Sequence, residues 1–289
     1  MRRMVIKHIQ LWEDRPEVYM TAYLIENSTQ YRQEQARPAM LVCAGGAFQY
    51  IADRESEPVA LAYATEGFQT FTLHYTVKHV LPDCLLDAAK AVQTIREHAA
   101  EWGVDPGMIA IEGMSAGAYL AVALPALAET ELFHNVKGLS PELIKPNAVV
   151  AGYAPIDMHL TLQNPFIDRV PEAKRERNRH IMTDLLGDAY GDTELYRATN
   201  PLLHITGKMV PVFAWCTSTD DVVPPYNTAL LVAELIKAGV PVESHVFGWG
   251  PHAMSLGTVA LRTQDNVDPH IAKWFDLSVE WLYRVFSYR

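Results

Sequence analysis

The chain has 289 residues, 49% of them hydrophobic, and a formal net charge of −10. That length supports one large α/β domain, and the acidic balance argues against a nucleic-acid partner. No apolar run reaches the length of a membrane span, and the start, Met1 to His8, lacks the apolar core of a signal peptide. Cys43, Cys84 and Cys216 are odd in number and widely spaced, so a reducing cytoplasm is the expected location and no zinc or CxxC site is expected.

In chain order, Val5–Leu11 and Val18–Ile25 predict two strands joined by a turn at Glu13-Asp14-Arg15-Pro16. A polar loop follows, 26–38. Met40–Cys43 reads as a short buried strand running into Ala44-Gly45-Gly46-Ala47-Phe48. Pro58–Glu66 predicts a helix stopped by Gly67, and Phe68–His74 another strand. Asp83–Trp102 reads as one long amphipathic helix, with apolar residues at Leu86, Ala89, Val92, Ile95 and Ala99. His74 and His79 are read as structural.

Met108–Ile111 predicts a buried parallel strand. Gly113-Met114-Ser115-Ala116-Gly117 follows, then a small-residue helix running to about Leu127. Strand, G-x-S-x-G and helix in that order form a nucleophile elbow. Its turn is too tight for a Cβ two residues either side of the serine, which sits strained at the sheet edge. The amide of Ala116 opens the helix there, where an oxyanion would sit.

Beyond the elbow lie a loop at 134–146 and a strand at Ala148–Ala151. The charged stretch Met158–Thr199 does not alternate strand and helix. It reads as a lid- or cap-like insertion, 158–200, within a single 1–289 domain. Its apolar pairs, Phe166-Ile167 and Ile181-Met182, are short and interrupted by charge, so no long acyl groove is expected from it. Val210–Cys216, Pro225–Ala238, Val240–Val246 and Ala272–Phe286 then read as strand, helix, strand and helix. Parallel strands alternating with helices give a mostly parallel sheet covered on both faces.

A serine hydroxyl needs a base. His252, in Gly250-Pro251-His252 past the final strand, lies on the same sheet edge as the elbow. The orienting acid should follow a strand between serine and histidine, and Asp220 and Asp221 both qualify. Gly45-Gly46-Ala47 after a strand can supply further amides, so Gly46, Ala47 and Ala116 are the candidate oxyanion donors. Phe48, Tyr50, Met114 and Tyr153 are candidate walls of a small acyl site. Metal-ligand spacings and a P-loop are absent, and no cofactor is implied.

These stretches resemble the α/β-hydrolase esterase/lipase family, close to acetyl-xylan-type and hormone-sensitive-lipase-like carboxylesterases. The segment 41–48 resembles the family's oxyanion segment, with Ala44 for its His or Pro and Ala47 for its third glycine. Arg54-Glu55-Ser56-Glu57-Pro58 follows as in the acetyl-esterase branch. Gly113–Gly117 matches G-x-S-A-G, and Gly250-Pro251-His252 matches G-x-H. The spacing to Pro224 matches D-x-x-V-P and so implies Asp220 as the acid. His74 stands where many relatives carry Asp.

The resemblance implies an α/β-hydrolase fold and hydrolysis of short-chain carboxylic esters, acetyl foremost, through an acyl-enzyme on Ser115. An amide hydrolase (arylformamidase or small peptidase) and a non-catalytic binding protein on the same scaffold are the alternatives. The expected partner is a small-molecule ester, an acetylated carbohydrate among the candidates. A homo-oligomer is compatible with the sequence, while nucleic acid and membrane are not expected.

Overall fold

The computed structural model describes residues 4–27, 36–162, 171–187, 193–259 and 266–288. Its frame is an eight-stranded sheet ordered β1-β2-β4-β3-β5-β6-β7-β8. The strands are β1 (Met4–Gln10), β2 (Tyr19–Ile25), β3 (Arg37–Cys43), β4 (Gln69–His74), β5 (Val104–Met114), β6 (Ala148–Gly152), β7 (Val212–Thr217) and β8 (Val242–Phe247). β1 pairs antiparallel with β2, and β2 with β4. Every other pairing is parallel. This is the mostly parallel, doubly covered sheet that the alternating pattern predicts, and the α/β-hydrolase fold that the family resemblance implies.

Strand alternation divides the core into two layers. Ala39, Leu41, Cys43, Ile109 and Ile111 face one side, under α2 (Asp83–Glu97), α4 (Ala116–Leu127) and α8 (Tyr226–Lys237). Met40, Val42, Ala110, Met114 and Val150 face the other, under α1 (Glu57–Thr65) and α9 (Lys273–Val285).

Three local readings change. The helix read as 83–102 ends at Glu97; His98 takes a non-helical ψ of 12°, and a short α3 (Ala99–Trp102) follows. β3 begins at Arg37 and so includes Pro38, which lacks a donor for a central strand. The pairing with β5 shifts register between Arg37 and Ala39, and this irregularity accommodates the proline. β5 starts four residues before Met108, through Asp105-Pro106-Gly107.

The stretch read as irregular is helical where described: α5 (Met158–Leu162), α6 (Glu172–Leu186) and α7 (Glu194–Thr199). Phe166-Ile167 lies outside the described residues. Ile181, Met182, Leu185 and Leu186 recur on one side of α6 and are buried. Gln49 Nε2 donates to Asp184 at 2.9 Å, and the Leu81 amide donates to the Leu185 carbonyl at 2.9 Å, fixing the end of α6 to the body. The Tyr196 hydroxyl donates to Asp157 at 2.9 Å, and Asn227 accepts from the Asp157 amide at 2.9 Å, which ties α7 and α8 to the chain leaving β6. Among the described residues no helix is long and apolar enough to cross a membrane.

Candidate active site

The strand–turn–helix at Ser115 has the geometry of an elbow. Ser115 adopts φ 53°, ψ −120°, a conformation costly for a residue with a side chain. The flanking glycines explain how the turn closes. A Cβ on Gly113 would lie 2.1 Å from the Gly117 carbonyl oxygen, and one on Gly117 would lie 1.7 Å from the Cys43 carbonyl oxygen of β3. The Ser115 amide is used by the Gly152 carbonyl at 3.0 Å, which leaves its hydroxyl to face the cavity.

His252 follows β8 and Asp220 follows β7. With its proton on Nδ1, the His252 ring donates to Asp220 Oδ2 at 2.7 Å and accepts at Nε2 from the Ser115 hydroxyl at 2.9 Å. The other Asp220 oxygen accepts from the amides of Val222 and Val223, each at 2.9 Å. The Asp220 side chain is 1% exposed and that of His252 12%, so this chain of hydrogen bonds is largely screened from water. Asp221, the other candidate acid, is exposed at the mouth of the cavity. The two loops are joined directly: Thr217 and Thr219 donate to the Gly250 carbonyl at 2.8 and 3.0 Å.

After β3 the backbone turns back on itself. Gly46 has φ 129°, and Ala47 and Phe48 have φ 56° and 59°. A Cβ at Gly46 would fall 1.9 Å from the Tyr50 carbonyl oxygen, so that position is confined to glycine. Ala47 keeps a left-handed backbone at a cost of about 1–2 kcal/mol. Gly46, Ala47 and Ala116 all line the cavity that holds Ser115. Among the described residues their N–H groups donate to no protein acceptor, as amides reserved for a ligand should.

The cavity measures about 300 Å³. Phe48 and Tyr50 line it, as the sequence suggests, but Met114 and Tyr153 do not. Met114 belongs to the core between sheet and α1, because strand alternation turns it away from Ser115's side. Tyr153 lies beneath the site, its ring 4.9 Å from that of His252 and tilted by 69°. The apolar wall comes instead from Met158, Ile181, Met182 and Val223. Three of these belong to the insertion whose charged composition suggested no such contribution.

Sequence reasoning also missed Glu55. It is 1% exposed, and its two oxygens accept from the Gly45 amide and the Tyr153 hydroxyl, each at 2.9 Å. The Tyr153 oxygen in turn accepts from the Ser255 amide at 3.1 Å, and the Ser255 hydroxyl donates to the Arg54 carbonyl at 2.7 Å. One buried carboxylate thus links the Gly45–Ala47 turn to the histidine loop. His74 is accounted for too: its ring stacks on Tyr19 at 4.7 Å and Nδ1 meets the Glu17 carbonyl at 2.9 Å, holding the hairpin to β4. Among the described residues no group of His, Cys, Asp and Glu is placed to hold a metal ion.

Comparison with known proteins agrees with this architecture. The chain is 26% identical over 261 residues to endo-1,4-beta-xylanase B of Butyrivibrio fibrisolvens, covering 85% of this chain and 37% of that protein. It is 26% identical over 212 residues to esterase LipQ of Mycobacterium tuberculosis, covering 72% of this chain and 48% of that one. It therefore spans well under two thirds of either relative. Among solved structures, an α/β hydrolase, MGS-M1, from a Medee basin deep-sea metagenome library superposes with a TM-score of 0.74 at 29% identity over 98% of both chains. An acetyl ester-xyloside bifunctional hydrolase from Caldicellulosiruptor lactoaceticus gives 0.76 at 25% identity, over 98% of this chain and 97% of that one. The sequence model of the BD-FAE family matches residues 26–235, most of the sheet and the elbow with it, and on that match the chain belongs to the BD-FAE family of α/β hydrolases.

Proposed function

We propose that the protein is a serine hydrolase of short-chain carboxylic esters, acetyl esters foremost. The observation that carries this is the unbroken hydrogen-bonded line from the Ser115 hydroxyl through His252 to Asp220 at the wall of a partly apolar cavity. Ser115 Oγ attacks the ester carbonyl while His252 Nε2 takes its proton. Asp220 holds the ring and stabilises the imidazolium. The oxyanion accepts from the amides of Gly46, Ala47 and Ala116. His252 then returns the proton to the departing alcohol, leaving an acyl-serine. Water, deprotonated by the same nitrogen, attacks the acyl carbon and frees the acid, and the proton passes back to Ser115.

In this reading the 158–200 insertion acts as a cap, since α6 lends Ile181 and Met182 to the cavity. An acetylated carbohydrate is the substrate class favoured by the names of two similar proteins, the xylanase and the acetyl ester-xyloside hydrolase. Buried, unpaired Cys43, Cys84 and Cys216 suit a reducing cytoplasm.

The experiment is labelling by a fluorophosphonate probe together with a panel of acetyl esters, longer esters and aryl amides. Labelling that disappears in Ser115→Ala, with turnover of the acetyl esters, is the expected result. Amide turnover exceeding ester turnover would replace the esterase reading, and absence of labelling in the folded wild type would end it.

A further inference from the structure

Resting on that esterase reading, we propose that the cavity selects esters carrying an anionic group, a carboxylate above all, received by Arg54 and Arg177. Both side chains line the cavity with Ser115. Their surroundings differ from those of the other arginines nearby. On α6, Arg175 pairs with Glu172 at 2.8 Å, and Arg179 pairs with Glu172 and Glu176 at 2.7 and 2.5 Å. Arg177, on the same helix, has no carboxylate partner among the described residues. Its neighbours Arg175 and Arg179 are thus neutralised, and Arg177, which borders the cavity, is paired with none of the described carboxylates.

Arg54 makes the same point from the other element. Its Nε is buried and has no acceptor, which is true also of Arg175 Nε on α6 but there outside the cavity lining, and such groups call for an explanation. Its nearest carboxylate oxygen, Glu55 Oε1, stands 3.9 Å away, beyond hydrogen-bonding reach, and already accepts from Tyr153. The other acidic group at the cavity is Asp221, which is exposed and has an interaction of its own.

A chain of net charge −10 repels anions at long range. Two guanidinium groups beside the serine, Arg177 with no carboxylate partner among the described residues and Arg54 paired with Glu55 only at 3.9 Å, therefore run against the overall field. A guanidinium fork matches a carboxylate in geometry and charge, and gains most where water is partly excluded. The charge can ride on the alcohol, as in a sugar acid, or on the acyl half, as in a half-ester of a diacid.

Two matched pairs of substrates separate these sources: 4-acetoxybenzoate against its methyl ester, and 4-nitrophenyl hydrogen succinate against 4-nitrophenyl methyl succinate. In at least one pair the acid should have the higher kcat/KM, by roughly tenfold, as a charged hydrogen bond gives. Added salt should shrink that ratio. Arg177→Gln, on an exposed helix face, and Arg54→Gln, monitored for its melting temperature, should each shrink it as well. A neutral member preferred in both pairs overturns the proposal, as does an acid preference that survives both substitutions. Absence of turnover for all four substrates would instead remove the esterase reading beneath it.

Discussion

The Tyr153 hydroxyl donates to Glu55 at 2.9 Å while the opposite oxygen of that carboxylate accepts from the Gly45 amide at 2.9 Å. Tyr153 also carries the ring of His252 on its edge. The Gly45–Ala47 turn and the His252 loop, the proposed sources of amides and base, are thus held at a fixed separation by one buried acid. Glu55→Ala should lower kcat on a small ester by roughly a hundredfold, the loss expected from a displacement of about 1 Å. Glu55→Gln keeps an acceptor for Gly45 and should recover part of it. Steady-state kinetics on both variants, with KM changing less than kcat, is the measurement. Equal activity of Ala and Gln variants would show that the carboxylate acts on stability alone.

The two adjacent aspartates are unequal. Asp220 faces His252 with a side chain 1% exposed, whereas Asp221 is open to solvent. Asp220→Asn should reduce turnover by about 10⁴-fold, by favouring the wrong imidazole tautomer. Asp221→Asn should stay within a few-fold of wild type. Rates with p-nitrophenyl acetate decide between them.

Glu112 gives a prediction about stability and pH. It sits fully buried in β5, and neither carboxylate oxygen has a partner. Burial, and secondarily the charge of Glu55, pushes its carboxyl well above the ordinary range. The unfolded chain releases this proton near pH ~4.3, while the folded chain keeps it. The native state therefore binds more protons, and stability falls as pH rises from about 4.3 towards the folded pKa. The slope from this group is at most about 1.4 kcal/mol per pH unit. Glu112→Met should remove that slope and gain on wild type at pH 8 more than at pH 5. Urea unfolding at both pH values reads it; an equal difference at the two would contradict it.

Acyl length should be set by the insertion. A cavity of about 300 Å³ closed by Met158, Ile181 and Met182 suits acetyl to butyryl groups. Activity should decline beyond about six carbons, although each buried methylene contributes about 0.8 kcal/mol when it fits. Met182→Ala should move the maximum to longer chains. A p-nitrophenyl ester series on wild type and variant tests this, and an unmoved maximum would exclude Met182 as the limit.

How far the sequence could be read depended on whether a residue's surroundings were local. The elbow was legible because G-x-S-x-G between strand and helix is a local steric requirement, and the glycine contacts with Cys43 and Gly117 express it. The order of strands and helices was legible for the same reason. Glu55 was not, because Asp53-Arg54-Glu55-Ser56-Glu57 looks like a solvated run, and only the packing of β3 and β6 around it makes Glu55 a core residue. Met114 was misread since sequence adjacency to Ser115 says nothing about which face of β5 it takes. The apolar side of α6 was hidden by five charged residues among 172–177, and α6 became interpretable only when its position against the cavity was known.

The spread of Ser115 and His252 along the chain also bears on how the protein is made. They are 137 positions apart. At about 5–20 residues per second, roughly 7 to 27 s of synthesis separate them. During that interval Ser115 is made first, β7 and Asp220 follow, and His252 comes last, 32 positions after Asp220. In the proposed mechanism, reactivity therefore arrives only when the last parallel strand has docked and brought His252 to Ser115.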